Sequence, residues 1–88
     1  MHTVKMRCGG KGRRLDNAHL ANEIVRLLES YSYGWMDVDE PTVRWTPAGR
    51  TALVDLATQE QADALLDLNG SWISIKPGGP KLKVRTFA

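Results

Sequence analysis

Arg50–Gly70, RTALVDLATQEQADALLDLNG, changes its hydrophobic period part-way along. From Arg50 to Leu56 the pattern alternates, with Ala52, Val54 and Leu56 on one side and Thr51, Leu53 and Asp55 on the other. A period of two with one apolar face describes a half-buried strand. At Thr58 the pattern switches. Thr58 followed three residues later by Gln61 is a capping-box signature. Ala62, Leu65, Leu66 and Leu68 then supply the apolar side of a helix. Asn69-Gly70 ends it, because Gly accepts the left-handed conformation that follows helix C-termini. A strand feeding directly into a capped helix is the unit from which the rest is read.

Before this unit, Thr42–Thr46 reads as a strand and Pro47-Ala48-Gly49 as a turn. Tyr31–Pro41 is a turn-rich link carrying Asp37, Asp39 and Glu40, acids that read as solvated rather than as a cation site. Leu20, Ile24, Leu27, Leu28 and Tyr31 recur at helical spacing behind a candidate N-cap, Asp16, and this helix should fade between Ser30 and Gly34. Thr3–Cys8 alternates again, with Val4, Met6 and Cys8 opposite Lys5 and Arg7, and leads into a basic loop, Gly9–Arg14. After the unit come a short apolar stretch, Trp72–Ile75, a Pro77–Pro80 loop and a last alternating strand, Leu82–Arg85. The order is β-α-β-β-α-β. It predicts an α+β sandwich: a four-stranded antiparallel sheet with two helices on one face. Eighty-eight residues leave room for one domain, 1–88.

The single cysteine, Cys8, excludes a disulfide framework and a multi-cysteine zinc site, and favours a reducing, intracellular compartment. No apolar run approaches a spanning helix, and the first residues are too polar for a secretory signal. Cys8 is in phase with Val4 and Met6, so it reads as a buried hydrophobe rather than a nucleophile. His2 and His19 are isolated. The Gly9–Arg14 loop lacks the GxxxxGK[ST] spacing of a nucleotide-hydrolysing loop. The reading is therefore of a protein that is not an enzyme, with no cofactor and no catalytic or metal residues.

Net charge is only +2, but its placement is uneven. The first strand and its loop carry Lys5, Arg7, Lys11, Arg13 and Arg14 with no acid, and the last segment carries Lys76, Lys81, Lys83 and Arg85 with no acid. The helices and the link hold Asp16, Glu23, Glu29, Asp37, Asp39, Glu40, Glu60, Asp63 and Asp67. In a split β-α-β arrangement the last strand lies beside the first, so the basic strands are neighbours. The expectation is a basic sheet face and an acidic helical back. Such a face favours phosphates, because each neutralised phosphate releases counterions. The bland alternative is that these cations only keep the sheet soluble and block edge pairing.

The order of elements, the stretch RTALVDLATQEQADALLDLNG and the closing LKVRTFA resemble the RNA-recognition-motif family, an RNA-binding domain of ferredoxin-like fold. In that family bases stack on one aromatic in the first strand and two in the third. The matching positions here are Lys5, Thr51 and Leu53, so the resemblance implies an atypical member, with weaker and more salt-dependent RNA binding. KMRCGGKGRRLDNAHL also resembles the start of the atypical RNA-binding domain of nuclear mRNA-export receptors, which implies a ribonucleoprotein or mRNA-processing setting and a nuclear rather than cytoplasmic location.

The expected RNA contacts are Lys5, Arg7, Lys11, Arg13, Arg14, Arg44, Arg50, Thr51, Leu53, Lys83 and Arg85. Trp45 is in phase with Val43: if both face the core, Arg44 lies on the sheet face, and the reverse phase gives the sheet an aromatic. Trp35 and Trp72 are candidate anchors for a protein partner, the alternative function. A protein-binding subclass of the family carries Arg-x-Phe in the loop where Trp72 stands. Arg85-Thr86-Phe87 has those letters but lies in the last strand. The isolated domain is expected to be monomeric and to have no membrane partner.

Overall fold

The computed structural model describes residues 2–8 and 15–88. Lys11, Arg13 and Arg14, the expected basic loop, lie outside the described residues. The elements are β1 (His2–Cys8), α1 (Asn17–Ser32), β2 (Thr42–Trp45), β3 (Thr51–Leu56), α2 (Gln59–Asp67), β4 (Trp72–Ser74) and β5 (Lys81–Phe87). They form an α+β fold with an antiparallel sheet of five strands in the order β2-β3-β1-β5-β4.

The strand count corrects the expected four. Trp72–Ser74 pairs with Lys81–Lys83 as the outer strand of a hairpin, closed by the Ile75 N–H to the Pro80 carbonyl at 2.9 Å. Three residues are too few to display a period of two. The pairing arises because the Pro77–Pro80 turn folds Trp-Ile-Ser back onto β5, which buries Ile73 completely. The other four strands run β2-β3-β1-β5, with the last strand beside the first as expected.

The alternation read in the sequence sets the two faces of the sheet. Val4, Met6, Cys8, Val43, Ala52, Val54, Leu56 and Val84 join Leu20, Ala21, Ile24, Leu28, Ala62 and Leu65 of the helices in one buried cluster. Both helices therefore cover the same face. Each fully buried Leu, Ile or Val in that cluster contributes about 1.5–3 kcal/mol through removal of apolar surface from water. Among the described residues, the opposite face of the sheet carries no helix.

Local chemistry defines the helix ends. Asp16 caps α1 by accepting the His19 N–H, and Thr58 caps α2 by accepting the Gln61 N–H. Gln61 does not complete a reciprocal box. Its amide donates instead to the Asp37 carbonyl at 2.8 Å, tying the acidic link to α2. The link begins at Tyr33, which terminates α1 in the left-handed region at φ 52°.

Two contacts place the sheet edge. Asn69 Oδ1 accepts the Thr86 N–H at 2.9 Å, and the Gly70 N–H donates to the Val84 carbonyl at 2.8 Å, so the Asn-Gly that ends α2 also pairs with the outer side of β5. Gly70 has φ +89°, a conformation that side chains disfavour. Farther out, α1 secures β4: Glu23 Oε1 accepts both the N–H and the hydroxyl of Ser74, and His19 Nε2 lies 2.7 Å from the Ser74 carbonyl. These side chains satisfy backbone groups of the edge strand that would otherwise invite pairing with another chain.

Candidate functional site

The uncovered face of the sheet is built by the residues that alternate with the core. Strand register arranges them in rows. Arg44, Leu53, Lys5 and Phe87 stand side by side across β2, β3, β1 and β5. The next row is Thr51, Arg7 and Arg85. Trp72 and Lys83 are paired beyond it. On the other side, Thr42, Asp55 and Thr3 form a polar row.

The face has two electrostatic halves. At one end Asp55 accepts from the Thr3 hydroxyl at 2.6 Å and from the Arg44 guanidinium at 3.1 and 3.2 Å. The bonds from Thr3 and Arg44 hold its carboxyl below the usual carboxylate range. Arg44 thus reaches the open face, as expected if Trp45 turns inward, but arrives already neutralised. Trp45 does turn inward: it packs against the core and donates its indole N–H to Asn17 Oδ1 at 2.6 Å.

At the other end the charge is uncompensated. Among the described residues the ion pairs are Arg26–Glu23 and Arg44–Asp55, so Lys5, Arg7, Lys83 and Arg85 have no acidic partner. All four are exposed. Arg7 and Arg85 are direct cross-strand partners, a like-charge juxtaposition that weakens a sheet. Thr51 and Leu53 lie beside them, half-buried. Arg50 is exposed in the β2–β3 turn, next in the chain to this face.

The aromatic content of the face differs from the sequence reading. The positions held by Lys5, Thr51 and Leu53 lack aromatics, but Phe87 fills the row next to Lys5, with the Lys5 ammonium 6.0 Å from its ring centroid. Phe87 is 40% exposed. The period-two signal of the last strand, continued past Arg85, places Phe87 in phase with Lys83 and Arg85, so the residue was legible had the strand been extended by two. Trp72, 56% exposed, belongs to this same face through its pairing with Lys83. Trp35 does not. It stands after α1, 66% exposed and two residues from Tyr33, which is 96% exposed.

Away from this face, Glu23, Cys8 and His19 serve the fold. The Arg26 guanidinium, with help from Ser74, lowers the Glu23 carboxyl to about 2. Burial pushes the Cys8 thiol up to about 11, which suits a packing role. His19 belongs to the β4 contact rather than to a site of its own.

No protein-family model, curated protein or solved structure matches this chain.

Proposed function

We propose that the domain binds RNA on its open sheet face and performs no catalysis. The observation that carries this reading is the in-register Arg7–Arg85 pair, unneutralised and flanked by Lys5 and Lys83. Like charges opposite each other cost stability, and a polyanion laid across them removes that cost. Leu53, Phe87 and Trp72 supply apolar and aromatic surface among the cations, and base–aromatic stacking contributes about 1–3 kcal/mol per base. The strand order and the helix-covered back are compatible with a ferredoxin-like domain of RNA-recognition-motif type, in which the open sheet is the binding surface.

Four phosphate contacts, from Lys5, Arg7, Lys83 and Arg85, correspond to a log–log salt slope of about −2.8 on single-stranded RNA. The test is fluorescence anisotropy with a labelled random single-stranded RNA and an RNA hairpin, titrated across salt. Saturable binding with a slope near this value, weakened by Lys5→Glu plus Arg85→Glu, supports the proposal. Absence of binding at low salt refutes it.

A second reading has its own observation. Tyr33 combines a left-handed backbone with near-complete exposure, beside exposed Trp35. Both features are unfavourable for the isolated fold, which suits a protein-contact site at the end of α1. Such a contact would tolerate salt and depend on Trp35.

A further inference from the structure

Where β1 meets β5, Arg7, Asn69, Arg85, Thr86 and Phe87 line an open pocket of about 410 Å³. This lies within the roughly 300–1,000 Å³ range of small-ligand sites. The side chains it leaves unpaired offer donors. The two guanidinium groups have no acidic partner among the described residues. Asn69 uses its oxygen to accept the Thr86 N–H, which leaves its amide N–H groups for a ligand. Thr86 is committed to the fold: its hydroxyl donates to the Leu65 carbonyl at 3.0 Å, making it a fixed wall. Phe87 adds an aromatic wall, with Lys5 beside its ring.

The matching ligand is rich in acceptors, anionic and partly aromatic. An internal phosphodiester carries a single charge. A terminal phosphomonoester carries about −1.5 to −2 at pH 7 and offers three strong acceptor oxygens, which suits two facing guanidinium forks. We propose that this pocket holds a nucleotide by its terminal phosphomonoester, with the phosphate between Arg7 and Arg85 and the nucleoside against Phe87 and the Asn69 amide. The inference rests on the nucleic-acid reading of the sheet only for one source of the ligand, a phosphorylated RNA end; a free nucleoside monophosphate has the same chemistry.

The experiment compares three internally labelled oligoribonucleotides of one sequence, bearing a 5′-phosphate, a 3′-phosphate or neither, on the whole 88-residue chain. Unlabelled AMP and inorganic phosphate serve as competitors. The expected result is at least fivefold tighter binding of one phosphorylated form, competed by AMP more strongly than by inorganic phosphate. Arg7→Gln and Phe87→Leu should each reduce that preference, with folding verified by far-UV circular dichroism. Equal affinity for all three RNAs, with no AMP binding by nuclear magnetic resonance titration, overturns the pocket while leaving RNA binding by the sheet intact. If no RNA binds but AMP shifts Arg7, Asn69 and Phe87 resonances, the pocket stands and the RNA reading falls. Inorganic phosphate competing as well as AMP overturns the nucleoside contact.

Discussion

Changing Arg85 to Glu should strengthen the fold and weaken RNA binding together. Arg85 faces Arg7 across the β1–β5 pair, with Lys5 diagonal to it beside Phe87. Opposed side chains in antiparallel strands contribute roughly 0.2–1 kcal/mol, favourable or unfavourable according to sign. Arg85→Glu replaces a repulsion with an attraction, and Glu forms strands slightly less well than Arg. The net expectation is a gain of about 0.5–1 kcal/mol at low salt, or a rise in Tm of roughly 2–8 °C for a domain of this size. Arg85→Gln removes the repulsion alone and should give about half of that. Both gains should shrink in 1 M salt, where the Debye length falls to about 3 Å. RNA affinity should move the other way. Loss of a charge-assisted contact worth about 1.5–3 kcal/mol corresponds to roughly ten- to a hundredfold weaker binding. Thermal melts at two salt concentrations and an anisotropy titration measure both effects. A lower Tm for Arg85→Glu at low salt would mean that Arg85 has a structural partner and that the pair is not a store of repulsion. Unchanged RNA affinity would remove the central support for the sheet as the binding surface.

Tyr33→Asn should raise stability by about 1 kcal/mol, because Asn tolerates the left-handed backbone that a bulky side chain resists; a thermal melt showing no gain would mean that the Tyr33 side chain compensates through contacts of its own. Glu23 titrates near 2 when folded and near 4.5 when free, so its contribution is fully present above pH 4.5 and is lost as pH falls towards 2. That span alone corresponds to about 3 kcal/mol, and exposure of Arg26 reduces it to roughly 1–2; urea melts from pH 2 to 6 should show a shallower acid loss in Glu23→Gln than in the parent. Cys8, with its thiol near 11, has about one thiolate per thousand at pH 8 and little access to solvent, so it should react with iodoacetamide only as fast as the domain opens. Rapid labelling of the native protein would contradict its burial.

The sequence alone determined what depends on neighbours along the chain. Period-two alternation assigned Val4, Met6, Ala52, Val54 and Val84 to the core and Lys5, Arg7, Lys83 and Arg85 to the other face. Asp16 and Thr58 marked helix starts, because a cap acts on N–H groups within three residues of it. Segregation of cations into the first and last strands was visible once those strands were taken as neighbours. The tertiary structure decided what depends on pairs distant in sequence. It added β4, whose three residues become a strand only against β5. It turned His19 and Glu23, which look like surface positions on a helix, into partners of Ser74 more than fifty residues away. It neutralised Arg44 with Asp55 while leaving Arg7 opposite Arg85. Periodicity tells which face a side chain occupies, but register tells what stands beside it, and Coulomb energy falls with distance between charges. The charge on the open face and its gathering on the first and last strands were therefore legible in the sequence, whereas the Arg7–Arg85 register and the neutralisation of Arg44 were not.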